Sequence, residues 1–333
     1  MWTEQNLKLT LDITTHCNAK CPQCSRTDPN GLDKVDWLPL VHVTTDKFKC
    51  LLTYTDLNLV SHIDMCPTWG DPIMNPDVLE ILSYIFECNP NISVSIDTNG
   101  SMRDEDWWWN LGARFRKFML KIRFAIDGCT EEMHQKYRRN TNLSKVLSNL
   151  QSYTLANGMA SSKSVLFKHN IDYLEDIKKI AMLHGSFNHT HTISNRFYTK
   201  DINKFKFTYK EKEEYLESAK LLGSNVTSLE EYRKSIERKK YNVTCEWGKL
   251  NKLMVNFDGQ VHPCCYIGNQ YPLKSGWQDH PTFNKYKQRE LELNLYHNSL
   301  LNIMNDVWYQ KQLEESFNDP CVQCIKSCGK MEN

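Results

Sequence analysis

The 333-residue chain lacks a net charge: 41 Lys and Arg stand against 40 Asp and Glu, a formal +1, and no long block of one sign disturbs the balance. Composition therefore gives no support to polyanion binding, nucleic acid included. Long apolar runs are also missing. The longest are broken within about ten residues, well short of the roughly 20 that a membrane-spanning helix needs, and the N-terminal MWTEQNLKLT has no apolar signal core. A soluble, unexported, cytoplasmic protein is expected. The sequence contains no internal repeat, low-complexity tract or Gly/Ser linker, which removes solenoids and flexible tethers from consideration. Its 40% hydrophobic content is enough to bury a sizeable core over two ordinary domains, which excludes disorder as the main state. What the chain has in excess is cysteine, 13 in all. Without an export signal, that usage points to metal ligation in preference to disulfides.

Residues 7–200 alternate short β-type runs with helical ones. Leu7, Leu9, Leu11 and Ile13 repeat with period two and define a first strand. Further strands are expected at Val60–Met65, Ile92–Asp97, Leu120–Ile126, Ser164–Lys168 and Thr190–Phe197, each separated from the next by a helix-forming segment. Six strands in this alternation imply a parallel sheet or open barrel. Asn75-Pro76 reads as the capped start of a helix, and Gly158 and Gly185 as stops of two later ones. Residues 201–240 are charged and helix-prone and are expected to form a helical connector. From Cys245 a hairpin follows, Leu253–Phe257 and Gln260–His262 around Asp258-Gly259, then an amphipathic helix near Asp306–Phe317. The expected division is 1–200, 201–240 and 241–333.

Cys17-Asn-Ala-Lys-Cys21-Pro-Gln-Cys24 places three thiols on one short loop directly after the first strand. Three thiolates on an irregular loop can wrap around one cubane and leave its fourth iron open to a small molecule. A zinc site is the alternative, although structural zinc more often shows paired C-x2-C units and a closed fourth position.

This run resembles the signature of the radical S-adenosylmethionine (radical SAM) enzymes, and the resemblance covers nearly the whole chain. Thr68-Trp-Gly-Asp-Pro72 resembles the Gly-Gly-Glu-Pro segment of that family; Gly70 and Asp71 match, and Trp69 replaces the first glycine. Asp97-Thr-Asn-Gly100 resembles the Thr-Asn-Gly after the third strand. Phe124-Ala-Ile-Asp-Gly128 with His134, Arg138 and Arg139 resembles a Ser-x-Asp-Gly…His…Arg stretch, with Ala125 in place of the serine, and Lys168-His-Asn170 resembles a later Lys-x-Asn. Gln23 stands before the third cysteine, where an aromatic is common.

The resemblance implies an α/β partial (β/α)6 barrel of parallel strands with a small C-terminal α+β iron–sulfur domain. It implies a [4Fe-4S] cluster with an open iron on Cys17, Cys21 and Cys24. It further implies S-adenosyl-L-methionine held by Gln23, Trp69, Gly70, Asp71, Thr98, Asn99, Asp127, Arg138, Lys168 and Asn170. Reductive cleavage of that cofactor gives a 5′-deoxyadenosyl radical that takes hydrogen from unactivated C–H bonds, while the protein positions the carbon and excludes water. Flavodoxin or ferredoxin is the electron donor the family implies.

Six of the thirteen cysteines fall in the last 89 residues: Cys245, Cys264, Cys265, Cys321, Cys324 and Cys328. The pattern resembles the abbreviated form of the SPASM/Twitch auxiliary-cluster domain, including Asp258–Cys265, Ile267-Gly-Asn269 and Asp306-Val-Trp308. It implies one auxiliary [4Fe-4S] cluster on Cys245, Cys264, Cys321 and Cys324, with Cys265 or Cys328 as alternates. A zinc ribbon is the competing account.

Cys50 and Cys88 read as buried helix thiols. No catalytic residue is assigned; Cys66 and Cys129, beside strand ends, are candidates to donate or accept hydrogen, with packing as the alternative. His16, His134, His169 and His262 read as hydrogen-bonded structural groups. With about 100° per residue, Trp107, Trp108 and Trp109 cannot share one face, so at least one is exposed. The functional expectation is oxidation, crosslinking or epimerisation of a peptide or protein side chain. The rivals are dehydrogenation of a small metabolite such as a sugar alcohol, and a non-catalytic zinc or iron–sulfur protein.

Overall fold

The computed structural model describes residues 2–66, 68–197, 203–219, 241–268 and 280–331. Its organising element is a sheet whose strands carry apolar residues on alternate positions. The strands β1 (Leu7–Leu11), β2 (Val60–Met65), β3 (Ser93–Thr98), β4 (Met119–Ala125), β5 (Met159–Leu166) and β6 (His189–Ile193) pair in sequence order, all parallel. Leu7, Leu9, Ile63, Val94, Ile96, Leu120 and Ile122 turn to one face, where helices such as Val78–Cys88, Glu105–Phe115 and Leu143–Leu155 seal them from water. This is the six-stranded α/β partial barrel expected from the sequence.

The rest of the chain departs from expectation in two places. Residues 203–219, within the anticipated helical connector, hold an antiparallel hairpin of β7 (Lys204–Tyr209) and β8 (Lys212–Glu217). Its charged residues suit a helix, but Phe205, Phe207 and Leu216 alternate with them, and Phe207 and Leu216 are buried beside Cys21, Tyr137, Phe167 and Phe197. Burial of that alternating stripe wins over helix propensity. The remaining connector residues lie outside the described ones.

After β9 (Tyr241–Val243), the expected hairpin is present as β10 (Lys252–Val255) and β11 (Val261–His262), but it joins the main sheet. β10 lies parallel to β1, giving eight strands in the order β11-β10-β1-β2-β3-β4-β5-β6. The exposed-edge backbone of β1 is thereby paired. β12 (Gly329–Met331) returns to pair with β9.

Smaller differences have local causes. The helix expected at Asn75-Pro76 begins at Val78 after Asp77; Asn75 Oδ1 still accepts from Asp77 N at 2.9 Å, while its amide donates to Ile13 O at 2.8 Å and Val43 O at 2.9 Å. β5 starts five residues before its expected position; Ser161, Lys163 and their neighbours lack the apolar alternation that marks a strand. Gly185 does follow a helix end, with φ +102. Cys88 is buried as expected, whereas Cys50 is exposed, its helix turning that position to solvent. Among the tryptophans, Trp108 is buried and Trp109 is 50% exposed. No helix among the described residues is long and apolar enough to cross a membrane.

β1 sits between β2 and β10, and Leu9 is fully buried. Leu9→Ala is expected to lower unfolding free energy by about 2–5 kcal/mol through lost burial and a residual cavity. A urea midpoint matching the parent chain would show that β1 is not central to the sheet.

Candidate active site and cysteine clusters

Every residue of the first cysteine run lies on the irregular loop leaving β1, and the loop is held from several sides. Arg26, 7% exposed, donates to Trp69 O at 2.8 Å and Thr15 O at 3.2 Å. Gln23 donates to Arg196 O at 2.9 Å and accepts from Ser194 Oγ at 2.6 Å, tying the loop to the segment after β6. Lys20 N donates to Arg139 O at 2.9 Å. The β7–β8 hairpin closes over this side: Gly31 N donates to Thr208 O at 3.0 Å, and Arg139 pairs with Glu214.

Two of the three thiols receive a donor. Asn99 Nδ2 approaches Cys17 Sγ at 3.7 Å, and Arg138 Nη1 approaches Cys21 Sγ at 3.7 Å. Burial pushes the Cys17 thiol well up and that of Cys21 to about 11, the latter against the pull of Arg138. Such buried thiols ionise when a metal supplies positive charge, and donors on sulfur support that form. The donor chemistry fits an iron–sulfur centre.

Gly70 is required where it stands: a β-carbon there would meet Thr14 O at 2.3 Å and His16 O at 2.8 Å. The close approach lets Asp71 N donate to His16 O at 2.8 Å. The Asp71 carboxylate is buried and accepts from Thr98 Oγ1 (3.0 Å), Asn99 N (2.8 Å), Asn99 Nδ2 (2.7 Å) and Ile73 N (3.1 Å). Burial raises it to about 6, with those donors opposing. Trp69 is buried edge-on against Trp37.

A second network starts at the end of β4. Asp127, fully buried, pairs with Arg138 Nε and accepts from Val165 N. Asp127 N donates to His134 Nδ1 at 3.2 Å, so the Nε2–H of His134 donates to Thr141 Oγ1 at 3.1 Å. Burial lowers His134 to about 4, keeping it neutral. Asn170 donates to Asp127 O at 2.9 Å and accepts from Phe167 N at 2.7 Å. The structure thus brings Gln23, Trp69, Gly70, Asp71, Thr98, Asn99, Asp127, Arg138 and Asn170 around the loop. Lys168 is not brought there: its ammonium is exposed and pairs with Glu217 at 2.8 Å. Cys129 packs against the main core. Cys66 donates to Asp97 Oδ2 at 3.2 Å, and burial followed by the Asp97 charge pushes its thiol far up.

Sequence reading missed Arg26, whose burial nothing in its neighbours announces. It also missed Asp12, where a carboxyl ending an otherwise apolar strand was a usable signal. Asp12 is 3% exposed; Oδ1 accepts from Thr68 N at 2.9 Å, and Oδ2 has no hydrogen bond of good geometry among the described residues.

The C-terminal thiols converge on a second place. Cys245 caps the helix Glu246–Lys249 and accepts from Gly248 N at 3.4 Å; Cys321 caps Val322–Cys328 and accepts from Cys324 N at 3.4 Å. Cys245, Cys264, Cys324 and Cys328 line one hollow with Trp247, Leu313 and Phe317. Cys321 lies against Cys324. The adjacent thiols differ here: Cys264 lines the hollow with Cys245, whereas Cys265 does not line it and lies within the influence of Lys252, Arg196 and Asp12. Asn269 lies outside the described residues. All thirteen cysteines are free. Among the described residues, no three Cys, His, Asp or Glu side chains form a site for a single metal ion. Thiols spread around an apolar hollow, with backbone N–H groups on two sulfurs, are a donor set suited to an iron–sulfur cluster.

The α/β partial-barrel fold is shared with solved structures of proteins that bind AdoMet or a precursor peptide. Among solved structures, SuiB of Streptococcus suis bound to the precursor peptide SuiA superposes with a TM-score of 0.60 at 11% identity, covering 98% of this chain and 70% of that one. AnSMEcpe with bound AdoMet superposes at 0.57 with 15% identity, covering 97% and 85%. AnSMEcpe with AdoMet and the Cp18Cys peptide gives 0.56 at 15%, covering 97% and 89%. In sequence, the chain is 22% identical over 277 residues to the GTP 3′,8-cyclase of Sulfurimonas denitrificans, 78% of this chain and 80% of that one. No family model matches.

Burial lifts Asp12 from 3.8 to about 7 against the pull of the nearby Thr68 and Trp69 backbone N–H groups. The folded state therefore favours the neutral acid, and its contribution to stability falls as pH rises from about 4 to about 7. The difference between the two values corresponds to at most about 4 kcal/mol. Asp12→Asn is expected to remove that slope and be the more stable form above pH 7, read by denaturant unfolding across pH. Parallel curves for the two proteins would overturn the assignment.

Proposed function

We propose that this chain is a radical SAM enzyme that abstracts hydrogen from a peptide or protein side chain. The observation that carries the reading is the cysteine loop itself: three thiols on irregular backbone after β1, two of them approached by the side chains of Asn99 and Arg138. Cys17, Cys21 and Cys24 would hold the radical-initiating cluster, and the segment 68–72 with Asn99, Asp127 and Arg138 would border the S-adenosylmethionine. When bound, cluster and cofactor supply a 5′-deoxyadenosyl radical by one-electron cleavage of a sulfur–carbon bond, with the electron from a flavodoxin- or ferredoxin-type donor.

The protein's own work is enclosure and orientation. Asp71 and Asn99 fix the β2 and β3 loops against Cys17; Asp127 orients Arg138 toward Cys21; the β7–β8 hairpin keeps water from the Cys21 side. Lys168, paired at the surface, has no part in this arrangement. The C-terminal thiols Cys245, Cys264, Cys321 and Cys324 would hold one auxiliary [4Fe-4S] cluster, with Cys328, which lines the same hollow, as the alternate to Cys321 and with Cys265 outside that lining.

Similarity to SuiB with its precursor peptide and to anSMEcpe with a peptide supports the substrate class. A second reading, a small polar metabolite, is favoured by the charged inner face of the barrel and by similarity to a GTP 3′,8-cyclase.

The test is anaerobic reconstitution with iron and sulfide, iron counting, and assay of 5′-deoxyadenosine after adding S-adenosylmethionine and dithionite. About eight irons per chain are expected, with product lost when Cys17, Cys21 and Cys24 become Ala. Cys264→Ser is expected to reduce the count to about four, and Cys265→Ser to leave it at about eight. Bound zinc without cofactor cleavage would falsify the enzyme reading.

A further inference from the structure

The sheet has two opposite faces. The outer one is sealed by helices; the inner one is polar on nearly every strand, with Lys8 and Thr10 on β1, His62 and Asp64 on β2, Ser95 and Asp97 on β3, Arg123 on β4 and Lys163 on β5. Cross-strand bonds fix this assignment. Lys252 Nζ meets Asp64 Oδ2 at 3.1 Å, Ser95 Oγ meets Asp64 Oδ1 at 2.9 Å, and Arg123 Nη2 meets Asp97 Oδ1 at 2.5 Å. Both oxygens of Asp64 are thus occupied, while Asp97 is ion-paired with Arg123 and its Oδ1 has no hydrogen bond of good geometry among the described residues.

What remains is asymmetric. Lys163, half-buried and opposite Ala125 in register, has no ion pair among the described residues, yet its charge acts on the Cys66 thiol across the face. Near it, Arg123 Nε and the Oγ of Ser161, its register partner on β5, are buried without hydrogen-bond partners among the described residues. At the other end, Thr10 Oγ1 on β1 and Asp12 Oδ2 just beyond it are buried without hydrogen-bond partners among the described residues, and both residues are 3% exposed. Buried polar atoms normally find hydrogen bonds, so these orphans along one face, Asp97 Oδ1 with them, mark where a polar ligand belongs.

We propose that this face binds a polar, anion-bearing substrate, its carboxylate or phosphate at Lys163, Arg123 and Ser161, and a hydroxyl or amine of the same substrate at Asp12. The inference rests on the enzyme reading for its purpose but not for its test. A cation left unpaired opposite a small alanine leaves room and charge for an anion. An apolar substrate would leave Lys163 and the orphaned atoms uncompensated, and this face would select against it.

The probes are pyrophosphate and succinate, titrated calorimetrically at low ionic strength into the reconstituted protein, with and without saturating S-adenosylmethionine. Saturable binding of one anion per chain is expected, weakened about tenfold or more by Lys163→Gln and within about threefold of wild type in Lys163→Arg. Lys178→Gln, on an exposed helix surface, is the control and leaves binding unchanged. Preference for pyrophosphate assigns a phosphate-bearing substrate; preference for succinate assigns a carboxylate. Binding that survives Lys163→Gln, that S-adenosylmethionine displaces, or that never saturates overturns the proposal. Loss of 5′-deoxyadenosine formation with intact anion binding would sink the enzyme reading and leave this site standing.

Discussion

The buried carboxylate of Asp71 is the constraint on which the rest of the site depends. A carboxyl withdrawn from water needs donors, and three of its four come from Thr98 and Asn99 at the end of β3. Accepting them fixes Asn99, whose amide also reaches Asn18 and Cys17 on the cysteine loop. The same segment touches the loop through Gly70, because only a residue without a side chain can lie so close to the carbonyls of Thr14 and His16. One short stretch thus joins the ends of β1, β2 and β3, and a cysteine loop with no regular hydrogen bonding of its own acquires a defined place.

The opposite side of the loop is fixed by a second buried charge. Asp127 orients Arg138 toward Cys21, and neutral His134 and Asn170 hold the backbone that carries Asp127. A fully buried carboxylate paired with an arginine is a weak contributor to net stability, but losing either partner leaves an uncompensated charge. The pair is better understood as a positioning device. The β7–β8 hairpin completes the enclosure by burying Phe207 and Leu216 beside Cys21.

Addition of β10 and β11 to β1 changes how the two cysteine groups relate. The strand that leads into Cys17 and the hairpin that leads into Cys264 belong to one sheet, so both groups grow from neighbouring strands. The turn after β11 then separates two adjacent thiols, sending Cys264 to the apolar hollow and Cys265 toward Lys252, Arg196 and Asp12.

Much of this was legible in the chain itself. Period-two apolar residues specify β1 to β4 because a sheet with one face sealed by helices must alternate, and the ordered motifs at Cys17, Gly70, Asn99 and Asp127 mark the strand ends where the site is built. β5 was only partly visible, since its inner residues Ser161 and Lys163 carry no apolar signal, and the β7–β8 hairpin was masked by helix-favouring charge. Tertiary structure alone decided that Arg26 is buried, that Lys168 is spent on Glu217, and that Cys264 and Cys265 face different surroundings. Local pattern encodes which residues avoid water. Partnership between residues far apart depends on which strands become neighbours, and that is settled only when the sheet closes its register.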